Sequence, residues 1–112
     1  MVFVLSAMPA MTVSAAFSPR TTAPDYGTFA SGNPFPYSSG NCTWYAWARA
    51  REILGYAPNV SMGNANSWWN YNINNGVFGY GQEPRVGAIA CWGGTYGHVA
   101  IVENIVTYWP AA

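Results

Sequence analysis

The sequence predicts an α+β domain, and three observations carry that expectation. A helical apolar pattern opens after Asn41, a shorter one opens near Asn64, and two apolar runs flanking a glycine-rich pentapeptide follow. Helices first and strands last is the α+β order, and 112 residues suffice for one domain but not two.

The first helix is predicted to begin at Cys42, with the Asn41 amide capping an unpaired amide of the first turn. Cys42, Ala46, Ala50 and Ile53 then share a face, with Trp47 and Leu54 beside them and Arg49, Arg51 and Glu52 towards the other side. Gly55 supplies the left-handed stop. The second helix runs from about Asn64 to Ile73, "NANSWWNYNI", and ends at Asn75-Gly76. The runs "VGAIACW" (86–92) and "HVAIVENI" (98–105), joined by residues 93–97, read as a β-hairpin with a five-residue connection.

The N-terminal third is read differently. Residues 1–16, "MVFVLSAMPAMTVSAA", are uncharged, mostly apolar or small, and end in a peptidase-compatible Val-Ser-Ala-Ala. They are too short to span a bilayer and read as a signal-peptide-like leader, although no Lys or Arg precedes Arg20. Residues 17–36 hold Pro19, Pro24, Pro34 and Pro36 without apolar periodicity and read as a linker. The domain is then expected over residues 37–112.

Composition narrows the function. The chain is 51% hydrophobic and 17% aromatic, but only 7% charged, with zero net charge. Its four basic residues are scattered arginines, so the basic stripe that nucleic acid demands is missing. A surface of Asn, Ser, Gly, Tyr and Trp suits hydrogen bonding and stacking against neutral polar polymers such as glycans.

Chemistry concentrates in few residues. A thiol at a helix start lies near unpaired amides and the positive end of the macrodipole, both of which favour thiolate, the reactive form. Cys42 occupies such a place; the plain alternative is a small buried hydrophobe or half of a disulfide with Cys91. His98, the sole histidine, opens a strand, and Gly97 before it leaves room for close approach. An imidazole near the thiol can take its proton and later protonate a leaving amine. Taken alone, a histidine at a strand end is more simply a hydrogen-bonded surface group.

The group that would orient the base is harder to find. Glu103 falls on the opposite strand face from His98, and Asn104 lies about 20 Å along an extended strand. Glu83 and Asn64 remain. Cys91, in mid-strand, reads as core packing. Two cysteines and one histidine at these spacings match no metal-ligand pattern, and no metal or organic cofactor is implied.

The segments "NCTWYAWARAREILG", "GNANSWW", "PRVGAIACW" and "GHVAIVE", in this order between about Tyr37 and Ile105, resemble the CHAP family of cysteine, histidine-dependent amidohydrolases/peptidases. The resemblance implies a papain-like α+β fold, N-terminal helices packed on a small antiparallel sheet. It implies a secreted or wall-associated bacterial enzyme that cleaves peptidoglycan as an N-acetylmuramoyl-L-alanine amidase or a wall-peptide endopeptidase, acting as a monomer. Cys42 is then the nucleophile and His98 the base, with Trp44, Trp68 and Trp69 as cleft aromatics and Asn41 at the helix cap. Asn41 stands where the family usually has Gln. The family also carries its orienting residue on a further strand, and "VTYWPAA" ends the chain 14 residues after His98, too soon for one. The expectation is a C-terminally short domain. Its alternative reading is a catalytically impaired wall-binding module or fragment.

Overall fold

The computed structural model describes residues 2–5, 17–37 and 42–106. In chain order the elements are β1 (Val2–Leu5), α1 (Tyr26–Ala30), α2 (Cys42–Leu54), a 3₁₀ turn (Ala65–Ser67), α3 (Trp68–Asn75), β2 (Tyr80–Gly81), β3 (Ile89–Trp92) and β4 (His98–Ile101). The four strands form one antiparallel sheet in the order β2-β1-β3-β4, and helix α2 packs on β4. This is the expected α+β class.

Both predicted helices form. Helix α2 stops where Gly55, at φ +84°, donates its N–H to the Arg51 carbonyl at 2.7 Å. Helix α3 ends at Gly76, whose N–H reaches the Asn72 carbonyl at 2.8 Å. The Asn72 amide, itself buried, then bonds both the N–H and the carbonyl of Phe78 and fastens the loop beyond. The predicted hairpin also forms, with Trp92 opposite His98 and residues 93–97 between them. Bonds from Val102 N to the Ala88 carbonyl (2.9 Å) and from Gly87 N to the Val102 carbonyl (2.7 Å) carry the ladder past the strand ends.

Helix α2 is apolar nearly all round: Thr43, Trp44 and every residue from Ala46 to Ala50 are buried. A helix of that kind must be covered on both sides. The sheet covers one, and the segment expected to be a linker covers the other. Phe29 and Phe35, placed between its prolines, enter the core, and the Asn33 amide donates to the Phe29 and Trp44 carbonyls at 3.1 and 3.0 Å. Burying each such aromatic contributes about 1.5–3 kcal/mol relative to exposure. The linker reading is therefore corrected: proline-rich composition conceals two anchoring phenylalanines.

A second correction concerns Arg49, expected on the helix's outer side and only 4% exposed. Its guanidinium makes two 2.8 Å bonds to the Glu103 carboxylate, one of 2.8 Å to Glu52 and one of 2.7 Å to the Ser18 carbonyl, with the Phe17 ring over it. Arg20 completes the cluster through Glu52 and, by its backbone N–H, Glu103. The Arg20 hydrogen bond is the largest influence holding the Glu52 carboxyl below its ordinary value. Burial pushes Glu103 up, but the hydrogen bonds and charges of Arg49 and Arg20 outweigh it and hold that carboxyl down as well. The cluster ties the N-terminal segment, α2 and the end of β4 together.

Of the residues read as a leader, Val2–Leu5 form β1, paired with β3 on one side and β2 on the other. Residues 6–16 lie outside the described set. An apolar Val-Phe-Val-Leu run suits a strand as well as the apolar centre of a leader.

Candidate active site

Cys42 is the first residue of α2, half-buried, with its side chain against the edge of the core. Asn41, its expected cap, lies outside the described residues. Both cysteines are free, which removes the disulfide alternative. Cys91 sits in the middle of β3 opposite Val99, and burial pushes its thiol up to about 12. At neutral pH it stays a thiol, so only Cys42 combines a free sulfur with access to solvent.

His98 opens β4 and is exposed, its ring 5.2 Å from that of its cross-strand partner Trp92. What brings it there is the close approach that Gly97 permits. Gly97 has φ +72°, and a Cβ on it would fall 2.6 Å from the Asn66 N and Cα and 2.7 Å from the Trp92 carbonyl oxygen. Asn66 in turn donates its N–H to the Tyr96 carbonyl at 3.0 Å and its amide to those of Thr95 and Gly94 at 2.9 and 3.3 Å. The 3₁₀ turn thus clamps the loop that delivers the imidazole. Asn66 was not among the residues the sequence singled out. The signal was there in Gly97, whose missing side chain implied a backbone neighbour without naming it.

The tryptophans separate. Trp68 is 1% exposed, packed on Phe35 at 5.8 Å, and its indole N–H meets no acceptor among the described residues. Its expected place in a cleft is corrected: it lies on the inner side of α3 and fills the core. Trp44, 6% exposed, lies beneath Tyr26 and Tyr37. Trp69 is half-buried with its edge to the Tyr80 ring at 5.4 Å.

No described acid or amide hydrogen-bonds the His98 imidazole. Glu103 is held by Arg49, in keeping with its place on the other strand face. The Asn64 carbonyl caps the 3₁₀ turn by accepting from Ser67 N and Oγ, and Glu83 is exposed. Among the described residues no group of three or more His, Cys, Asp or Glu is placed to hold a metal, and no helix is long and apolar enough to cross a membrane.

The free thiol of Cys42 thus opens a helix that packs against the strand opened by His98. The family model described as the CHAP domain matches residues 31–108, and the chain belongs to that family. Among curated proteins it is similar to the "Probable autolysin LDP" of Staphylococcus aureus, 44% identical over 70 residues, 62% of this chain and 24% of that protein. It is also similar to the "Staphylococcal secretory antigen SsaA" of Staphylococcus aureus, 38% identical over 69% of this chain and 28% of the relative. The protein of that name from Staphylococcus epidermidis is 40% identical over 68% of this chain and 27% of its own length. The chain spans about a quarter of the length of these relatives. No solved structure matches it.

Proposed function

We propose that the chain is a secreted or wall-associated peptidoglycan hydrolase that cuts an amide bond by cysteine chemistry. The Cys42 sulfur attacks the carbonyl carbon of a wall amide while His98 holds the thiol proton. Backbone amides at the start of α2 receive the developing oxyanion. His98 then passes the proton to the leaving amine, and water, deprotonated by the same imidazole, releases the acyl group from sulfur. Trp69, half-buried beside the 3₁₀ turn, supplies an aromatic wall for the substrate. The names of the relatives, an autolysin and secretory antigens, support export and a wall target.

The observation that carries the reading is the pairing of α2 with β4. The far end of the strand region is fastened to the second half of the helix, through Glu103 on Arg49 and through Gly87, the partner of Val102, beside Ile53. From Glu103 back to His98 is about 16 Å of extended chain. From Arg49 back to Cys42 is about 10 Å of helix. Both runs lead away from the Arg49 cluster, and in the proposed reaction His98 stands beside the half of α2 that begins at Cys42.

The alternative reading is a catalytically impaired wall-binding module. A turbidity assay on purified cell walls separates the two. The chain clears walls and Cys42→Ala does not if the hydrolase reading holds; equal clearing, or none by either while both bind walls, leaves the module. Mass analysis of released fragments distinguishes amidase from endopeptidase.

A further inference from the structure

Three aromatic rings outside the Cys42–His98 pair form one cluster. Tyr26 of α1, Tyr37 of the segment before α2, and Trp44 of α2 have centroids 5.0, 4.9 and 5.7 Å apart. Trp44 is buried beneath, whereas Tyr26 and Tyr37 are 57% and 44% exposed. Tyr26 lies at 23° to the indole plane, stacked on Trp44, while much of the residue stays open to solvent.

The Tyr26 side of the cluster is fastened to α2. Arg51 of α2 reaches across to the Thr28 carbonyl at 2.9 Å and to the Ser31 carbonyl, clasping α1 to α2, while its guanidinium lies over Trp47. Asp25 caps α1, accepting from Thr28 N and Oγ1 at 2.9 and 2.7 Å. Two large exposed rings on a rigid support lose little conformational freedom when a ligand settles on them.

We infer that Tyr26 and Tyr37, backed by Trp44, form a saccharide-stacking platform that takes the glycan strand of the substrate. The choice of a sugar rests on the hydrolase reading above and on the local charge. The flat apolar faces of pyranose rings, lined with C–H groups, complement the electron-rich faces of aromatic rings. An anionic ligand is poorly served, because the nearby cation Arg51 is bound to carbonyls and the charge beside Tyr26 is the Asp25 carboxylate. Trp44 is two residues from Cys42, about 200° around a helix roughly 10–12 Å across. The platform therefore lies on the other side of the first turn of α2 from the sulfur, and a glycan seated there sends its peptide around the helix end to reach the thiol.

The test uses the full chain as Cys42→Ala and tri-N-acetylglucosamine as probe, followed by NMR titration. Shifts concentrated on Tyr26, Tyr37 and Trp44, with the apparent Kd weakened at least tenfold in Tyr26→Ala/Tyr37→Ala, are expected. Tyr26→Phe/Tyr37→Phe should bind within twofold of the parent, as should Tyr56→Ala, an exposed tyrosine elsewhere. Matching spectra away from the cluster show that the fold is kept. Unchanged affinity in the double alanine variant, loss in the double phenylalanine variant, or no binding by the parent overturns the platform. Wall clearing without saccharide binding removes the platform alone. Saccharide binding that depends on the tyrosines, in a chain that never clears walls, removes the hydrolase reading alone.

Discussion

The two cysteines of this chain are the same chemical group in opposite surroundings. Cys42 opens a helix at the edge of the core with access to solvent. Cys91 lies in the middle of β3, beside Val99 of β4, where burial keeps it protonated. The chain thereby contains an internal control: what differs is not the sulfur but its access to solvent, half-buried at a helix start in one case and fully buried in a sheet in the other. Under the proposed function, position and not residue type selects the nucleophile.

The most drastic way to sharpen that contrast is to remove each sulfur in turn. Cys42→Ala should lower wall clearing by about 10³-fold or more with little change in Tm, because it takes the nucleophile and not the packing. Next comes the loop that carries His98. Gly97→Ala adds a Cβ into backbone at a positive φ. The resulting shift of His98 should reduce turnover about 10²-fold, as small misplacements at reacting groups do. Alkylation of Cys42 should slow with it, while Cys91 stays unlabelled until the protein unfolds.

Smaller effects fall on stability. Arg49→Met leaves the partly buried Glu103 with only the Arg20 backbone N–H in place of a guanidinium and should cost about 3 kcal/mol, read from urea unfolding. The pH dependence has a definite sign. Glu52 and Glu103 are both held below the ordinary 4.5, so their stabilising effect is present above that value and is lost as pH falls through their lower folded values. Tm should therefore drop below about pH 4.5 in the parent chain, and Arg49→Met should flatten that drop. Smallest is Cys91→Ala, which leaves a cavity of little more than one sulfur and should cost about 1–2 kcal/mol. Activity per folded molecule should be unchanged. Should Cys91→Ala abolish clearing and Cys42→Ala spare it, the roles assigned to the two thiols are reversed.

Much of the scaffold was legible in the sequence because its signals are local. Glycines at 55 and 76 end the helices where expected, and residues 93–97 join two strands in the expected hairpin. What was missed depends on distant partners. Arg49 looks like an outer-face residue until Glu103, fifty-four positions away, draws it inward. Phe29 and Phe35 stand among prolines, and nothing local says that Trp44 and Trp47 need covering on that side. In retrospect the all-round apolarity of "CTWYAWARA" required such a cover. Trp68 and Trp69 are indistinguishable by type, and only the rotation of α3 buries one and leaves the other half-exposed. The places of Cys42 at a helix start and His98 at a strand start were legible locally; the Asn66 clamp on the His98 loop was not, since it joins two loops far apart in the chain.

The central claim is that a single sulfur is made reactive by its place on α2 and by one imidazole. Alkylation of the native chain with iodoacetamide at neutral pH, followed by peptide mapping, tests it most directly. Modification at Cys42 should be faster than in the unfolded chain, should fall severalfold in His98→Ala, and should leave Cys91 untouched. Labelling of Cys42 at the unfolded rate, indifferent to His98, would contradict the account.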